Sequence, residues 1–163
     1  MKGYIGTKVY TEQQCKQEAM SYCSKEERTQ KDVFEKLTKW GLNSQEADNV
    51  IAYLISEGFI NETRYANLYC ISKFHQNKWG KTKIKFSLKQ KGLSNKCIED
   101  ALDTIDNQEY YNACLVAAKK KFESLKGNGD QMSIKRQKTA AFLATRGFEF
   151  DLINKILDSV CAK

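Results

Sequence analysis

The sequence predicts an all-α protein that consists of three tandem three-helix units in an elongated, curved array. The 163-residue chain contains no proline and nine glycines, so long helices meet few residues that would end them. One pattern of leucine, glycine and apolar residues also recurs three times, which is typical of a repeat protein. Apolar residues make up 41% of the chain and charged residues 29%, values that argue against a largely disordered protein.

The recurring pattern predicts a helix, a glycine turn and a second helix. Each copy begins with leucine, reaches glycine four residues later and has apolar residues six, nine, ten and thirteen positions after that glycine. Glycine adopts the left-handed backbone of a helix C-cap at little cost, and the four offsets place apolar side chains on one helix face. The copies read LTKWGLNSQEADNVIAYL from Leu37, LKQKGLSNKCIEDALDTI from Leu88 and LATRGFEFDLINKILDSV from Leu143.

A further helix precedes each pair and completes a three-helix unit. These leading helices are expected at 12–26, 62–77 and 107–124. Asn61 and Asp106 are the expected N-caps of the second and third, and Glu109 has capping-box spacing from Asp106. Units of this size bury little core alone and stack on their neighbours. The predicted organisation is a tail over 1–10 and units over 11–57, 58–106 and 107–163, with a loop at 127–131.

The six cysteines and the single histidine, His75, do not match a metal or redox motif. No two cysteines form a C-x-x-C pair, and one histidine leaves zinc without its usual set of ligands. The N-terminus MKGYIGTKVY has no apolar stretch typical of a secretory signal, so we expect a reducing, cytoplasmic location. We interpret the cysteines as core thiols; they are Cys15, Cys23, Cys70, Cys97, Cys114 and Cys161.

The sequence matches no motif of catalysis or of cofactor binding. The glycine-containing stretch GNGDQ lacks the Lys-Ser/Thr that follows in a phosphate-binding loop. His75 has no identifiable cysteine or serine partner, and the acidic residues are scattered along the chain. We therefore expect neither an enzyme nor a cofactor.

Base-specific DNA reading by a helix-turn-helix is also disfavoured. In that motif the last helix of a three-helix unit enters the major groove, which is walled by phosphates. The last helix of the first unit carries Glu46, Asp48 and Glu57 and no basic residue, and those of the other two units are acidic as well. The net charge of +7 lies elsewhere: from Lys73 to Lys96 there are eight lysines and no acidic residue.

The middle helix of the second unit, expected near 82–91, is the candidate site. Ile84 and Leu88 share its inward face, and Phe86 falls almost opposite them. Lysines beside an outward phenylalanine could hold a phosphate backbone and stack a base. The alternative is a solvated helix face on which a neighbouring unit covers Phe86. The candidate residues for binding a partner or DNA are Lys78, Lys81, Lys83, Lys85, Phe86, Lys89, Arg136 and Lys138.

The second unit resembles the central repeat of RecX, a family of bacterial regulatory proteins. GFINETRYANLY (58–69) and WGKTKIKFSLKQKGLS (79–94) are similar to the family patterns Gly-hydrophobic-Ile-Asp-Asp-x-x-Phe-Ala and Gly-x-x-Arg-Ile-x-x-Glu-Leu-x-x-Lys-Gly-Ile. The similarity extends over about residues 14–160. The sequence departs from the patterns at Asn61-Glu62, in place of an acidic pair, and at Ser87, in place of glutamate.

The resemblance implies three tandem three-helix repeats and a non-enzymatic regulator of the RecA recombinase. Members of the family bind along the RecA filament on single-stranded DNA and inhibit its ATP hydrolysis and strand exchange, in DNA repair, recombination and the SOS response. We therefore expect a monomer without a cofactor whose partners are the filament and the single-stranded DNA within it, and not a membrane. The alternatives are a single-strand-binding module that acts without RecA and a pure protein adaptor.

Overall fold

The computed structural model describes residues 10–127 and 129–162, and these residues are all-α. The tail predicted over 1–10 lies almost entirely outside the described residues. The expected loop at 127–131 contains a short 3-10 turn, Gly129–Gln131, which leads into the eighth helix. The helices are α1 (Glu12–Lys25), α2 (Gln30–Lys39), α3 (Ser44–Ser56), α4 (Glu62–His75), α5 (Lys81–Gln90), α6 (Asn95–Leu102), α7 (Asn107–Ser124), α8 (Met132–Arg146) and α9 (Phe150–Cys161).

The three tandem three-helix units are confirmed, because α1–α3, α4–α6 and α7–α9 each pack among themselves. The glycine turns are confirmed as well: φ is 102° at Gly41, 84° at Gly92 and 91° at Gly147. Residues at the predicted apolar offsets face the core, and only Val160 among them is half-buried. The buried ones are Ala47, Val50, Ile51, Leu54, Ile98, Ala101, Leu102, Ile105, Ile153, Ile156 and Leu157.

The predicted N-caps are confirmed, but the predicted capping box is only half formed. Asn61 Oδ1 accepts a hydrogen bond from the Arg64 N–H at 2.9 Å, and Asp106 Oδ1 accepts one from the Glu109 N–H at 2.8 Å. The Glu109 carboxylate does not return to the Asp106 backbone, since its Oε1 lies 3.2 Å from Nδ1 of His75. A contact between units therefore replaces the local one.

The buried apolar residues form two clusters, and the units share them unequally. One cluster consists of first-unit residues such as Val33, Leu37 and Leu54, together with Ile60 from the start of the second unit. The second and third units contribute to one continuous cluster, in which Ile84 and Leu143 belong to different units. The second and third units thus stabilise each other by apolar burial, as small repeats require.

Two glycines make the contact between the second and third units unusually close. The Gly80 N–H donates to the Arg146 carbonyl at 2.7 Å, and the Thr82 N–H donates to the Gly147 carbonyl at 3.0 Å. A Cβ atom on Gly80 would lie 2.2 Å from the Gly147 carbonyl carbon. A Cβ atom on Gly147 would lie 2.3 Å from Cβ of Lys83. Glycine is required at both positions for this approach of backbone to backbone.

Tyr110 fills the interior beside this glycine contact. Its hydroxyl donates to Glu149 Oε2 at 2.6 Å and accepts the Lys81 N–H at 2.8 Å. Its ring centroid lies 5.7 Å from that of Phe74 and 5.4 Å from that of Phe148, within the range of favourable aromatic pairs. Burial raises the pKa of Tyr110 above the ordinary phenol value, and the bond to Glu149 raises it further. Tyr110 therefore links both units as a neutral phenol.

Apart from Ile60, which packs in the first cluster, the first unit meets the second mainly through polar groups that are exposed or half-buried. Lys31 Nζ donates to the Gln90 carbonyl at 3.0 Å, and Arg64 forms an ion pair with Glu27. Exposed ion pairs of this kind contribute little to stability, about 0–1 kcal/mol each. The junction between the first two units is accordingly weaker than the junction between the second and third.

The prediction of core thiols holds for four of the six cysteines. All six are free thiols; Cys97 and Cys161 are only half-buried, which the apolar pattern did not indicate. The described part of the chain contains no group of three or more histidine, cysteine or acidic side chains placed to hold a metal ion. Among its helices, none has both the length and the apolar composition needed to cross a membrane.

Candidate interaction surface

The N-terminus of α5 is capped by the third unit rather than by its own side chains. Gly80 is the N-cap residue, so no side chain can accept the first free N–H groups. The Lys81 N–H is instead satisfied by the Tyr110 hydroxyl, and the Thr82 N–H by the Gly147 carbonyl. The third unit therefore fixes the position from which the basic helix α5 starts.

The outer face of α5 consists of Thr82, Phe86, Lys89 and Gln90, all exposed. Phe86 has an exposed fraction of 63%, so the interpretation that a neighbouring unit covers it is wrong. On the opposite side, Ile84 and Leu88 are fully buried, as the helical spacing predicts. An exposed aromatic ring with a lysine three residues away is thus the main feature of this outer face.

Two of the candidate lysines on α5 turn back onto the protein. Lys81 Nζ lies 5.0 Å from the centroid of the Tyr110 ring. Lys83 Nζ lies 4.5 Å from the centroid of the Trp79 ring and 3.5 Å from the Thr145 carbonyl oxygen. Cations over aromatic faces are stabilised in place. Lys81 and Lys83 are therefore half-buried components of the junction between units.

The other two lysines of α5 differ from each other, since one is paired within the protein and the other is exposed. Lys85 forms an ion pair with Glu99 of α6, whereas Lys89 is exposed near the end of α5. Four lysines and no acidic residue on a ten-residue helix give this part of the molecule a positive potential whether or not each ammonium group is paired.

The other three candidate residues lie off α5. Lys78 is exposed in the loop between α4 and α5. Lys138 of α8 is exposed, and Arg136 of the same helix is bonded to Asp158 at 2.8 Å. Arg136 precedes Arg146, the α8 residue beside α5, by ten positions, or about 15 Å along a helix. The structure therefore separates these α8 residues from the α5 surface.

Models of the three RecX domains match this chain in order: the first three-helix domain over 15–54, the second over 61–102 and the third over 108–157. The chain belongs to the RecX family. Regulatory protein RecX of Clostridium acetobutylicum is 32% identical over 148 residues, which cover 89% of this chain and 68% of that protein. The protein of the same name from Chlorobium phaeobacteroides is 32% identical over 142 residues, covering 87% and 90%.

Solved RecX structures share the fold. The crystal structure of RecX from Lactobacillus salivarius has a TM-score of 0.84 and 25% sequence identity, and the match covers 93% of this chain and 97% of that one. The chain spans about two thirds of the length of the clostridial relatives, 67% for the protein from Clostridium tetani. Because its relatives are regulatory proteins, a RecX regulatory role follows for this member.

Three residues depart from the family pattern, and the side chain of each forms a hydrogen bond in the structure. They are Ser87, Asn61 and Glu62. Ser87 Oγ lies 2.5 Å from the Tyr69 hydroxyl, so the serine links α5 to α4. Asn61 caps α4, and Glu62 Oε1 accepts the Gln30 N–H of the first unit at 3.4 Å. These substitutions are therefore compatible with the fold.

A groove at the junction of the second and third units was not predicted from the sequence. It lies between the end of α4, α7 and α8, and its volume is about 670 Å³. A signal for it is present in the sequence: Val116 extends the apolar face of α7 beyond the core residues Cys114 and Ala118, past the partly buried Ala113 and Ala117. An apolar face wider than the core requires indicates a further packing surface.

Proposed function

We propose that this RecX protein binds the RecA recombinase filament on single-stranded DNA and inhibits its ATPase and strand-exchange activities, and thereby regulates DNA repair and recombination. The observation that carries this proposal is the outer face of α5, where Phe86 and Lys89 are exposed on a basic helix without an acidic residue. Membership of the RecX family supports the choice of partner.

In the proposed complex, α5 contributes in two ways. Lys89 interacts with a carboxylate of the filament or with a phosphate of its DNA, and Phe86 packs against a base or an apolar side chain. Lys81, Lys83 and Lys85 contribute through their potential, which raises the rate of encounter with an acidic surface. Lys78, Arg136 and Lys138 extend the positive charge beyond α5. The protein acts by binding, as a cytoplasmic monomer without a cofactor.

The proposal is tested by the rate of ATP hydrolysis by RecA on single-stranded DNA, titrated with this protein. The test variant combines Phe86→Ser with Lys89→Glu, since both side chains are exposed and the core is left intact. Loss of a stacked ring costs about 1–3 kcal/mol, and loss of a charged contact costs about 1.5–3 kcal/mol. The concentration for half-inhibition should therefore rise at least about tenfold.

The matched control is Lys96→Glu, because Lys96 is an exposed lysine of the same unit, on α6, and its side chain is 84% exposed. It changes the net charge as Lys89→Glu does but leaves the outer face of α5 unaltered. Equal loss of inhibition in both variants would mean that net charge alone matters. Unchanged inhibition by the folded test variant would refute the role of α5.

Binding to bare single-stranded DNA, measured in parallel, separates this proposal from the alternatives. Inhibition at concentrations well below those that coat bare DNA indicates a regulator directed at the filament. Inhibition only where bare DNA is saturated indicates a single-strand-binding module, with a logarithmic salt slope of about 0.7 per contacted phosphate. A protein adaptor would show no affinity for DNA and little dependence on salt.

A further inference from the structure

The groove between α4, α7 and α8 has an apolar floor. Val116 lies in it with an exposed fraction of 65%, which is high for an aliphatic side chain on a structured helix. Ala113 and Ala117 flank Val116, and Phe74 and Phe142 complete the floor from α4 and α8. Small side chains on α7 leave the space that the groove occupies. The floor can therefore receive an apolar side chain from outside.

The rim of the groove is strongly basic. Four cationic side chains line it: Lys78, Lys120, Lys121 and Arg146. Glu109 is the carboxylate among the described lining residues, and it is already bonded to His75. The excess of positive charge around an apolar floor is complementary to a ligand that combines apolar and acidic groups.

The backbone at Lys78 ends α4 in a conformation that favours glycine, yet the residue there is a lysine at the rim. Lys78 has φ of 56°, the left-handed conformation, and is the non-glycine residue with positive φ in the described part of the chain. Its N–H donates to the Phe74 carbonyl at 3.1 Å and closes the end of α4. Glycine would adopt this conformation without strain. A strained lysine at this position suggests a role for its ammonium group at the groove.

We propose that the groove binds an acidic peptide segment of a partner protein, which inserts an aliphatic side chain between α7 and α8 and pairs its carboxylates with the basic rim. The backbone of the peptide lies over Val116, and its carboxylates reach Lys78, Lys120 and Arg146. The groove is lined by α4, α7, α8 and Lys78 of the loop after α4, and not by the outer face of α5. This proposal therefore stands whether or not the chain inhibits RecA.

A peptide fits these contacts better than a nucleic acid does. Base stacking requires an accessible aromatic face. The Phe142 ring has Lys121 Nζ at 5.4 Å and the Arg146 guanidinium carbon at 5.2 Å from its centroid, so cations occupy the approach to it. The most exposed part of the floor is aliphatic and suits a side chain of leucine or valine type.

The experiment measures binding of short fluorescein-labelled peptides to the full chain by fluorescence anisotropy. The probe carries a central leucine between glutamates; one comparison peptide has lysines for the glutamates, and another has serine for the leucine. The acidic leucine peptide should bind, and both comparison peptides should bind at least about tenfold more weakly. Amide chemical shifts of the labelled chain should change at α7 and α8 on addition of the probe.

Variants of the chain locate the site. Val116→Glu should weaken probe binding by about tenfold or more, whereas Ile55→Glu, at a 44% exposed aliphatic residue of the first unit, should leave it within about twofold. Lys78→Gly should also weaken binding while it raises the urea midpoint of unfolding. A variant that is more stable yet binds less well cannot owe its loss to misfolding.

Three outcomes would overturn the proposal. The first is equal binding of the acidic and lysine peptides. The second is absence of binding by the acidic leucine peptide up to about 1 mM, the weak limit of specific recognition. The third is tighter binding of oligothymidylate than of the peptide, with the same sensitivity to Val116→Glu, which would make the groove a nucleic-acid site.

Discussion

Substitution of alanine for three glycines should separate the two reasons for which this fold requires glycine. Gly92 has a φ of 84°, but an added Cβ atom would meet nothing closer than the Lys31 side chain at 3.9 Å. Gly92→Ala therefore costs the left-handed conformation alone, about 1–2 kcal/mol. Gly80 has an ordinary φ of −77°, so the cost of Gly80→Ala is only the clash with the peptide group between Gly147 and Phe148. Overpacking costs about 1–3 kcal/mol, and more where backbone must move.

Gly147→Ala combines both costs, because Gly147 has positive φ and its added Cβ atom would meet Lys83. The expected loss in free energy of unfolding is about 2–5 kcal/mol, the sum of the two terms. This is a large part of the roughly 5–15 kcal/mol that a domain possesses. Gly147→Ala should therefore be the least stable of the three variants.

Urea denaturation followed by far-UV circular dichroism measures these differences, with the slope m as a check on the cooperativity of the transition. Gly80→Ala should also weaken the proposed inhibition of RecA, since the substitution displaces α5 from the third unit that positions it. If Gly80→Ala is as stable as the wild type, the close approach of Gly80 to Gly147 is refuted. If Gly92→Ala is the least stable variant, the additive reasoning fails.

Three further predictions concern single side chains. Burial and then the bond to Glu149 raise the pKa of Tyr110. The contribution of the neutral phenol to stability is therefore present below about pH 10, the ordinary phenol value, and is lost as the pH rises above it. The urea midpoint of the wild type should fall above that pH, and that of Tyr110→Phe should fall less. Burial raises the pKa of Cys70 to about 11 and of Cys114 to about 12. Half-buried Cys97 and Cys161 should therefore react with a thiol reagent at neutral pH before Cys70 and Cys114 do, and equally fast reaction of Cys114 would contradict its burial. Lys78→Gly should raise the free energy of unfolding by about 0.5–1 kcal/mol, because the relief of left-handed strain exceeds the cost of the greater chain entropy of glycine in the unfolded state. A decrease would show that the lysine stabilises the loop.

Local interactions made much of the fold predictable. The turn at Gly92 needs only its own backbone conformation, and the burial of Ile84 and Leu88 follows from their helical spacing. The cap at Asn61 likewise depends on an amide three residues away. Each of these features involves residues that are close in the sequence, so the pattern of residue types is sufficient to indicate it.

The basic surface was predictable only in part, for the opposite reason. Lys81, Lys83 and Lys85 were all predicted from the sequence to be candidates for binding a partner. In the structure, each of them contacts another part of the protein. The Tyr110 ring that holds Lys81 comes from 29 residues further along the chain. Helical periodicity indicates which way a lysine points, but it does not indicate which distant side chain stands opposite.

The pattern of residue types is sufficient to indicate three helical units, their glycine turns, their apolar faces and the concentration of lysines near α5. Tertiary structure alone decided that Gly80 meets Gly147, 67 positions later in the sequence, that the second and third units share one apolar cluster, and that a basic groove lies between them. The physical reason is the range of the interactions. Helix formation and capping act over three or four residues, whereas the contact between repeats depends on backbone and side-chain shapes that meet only after each unit has folded.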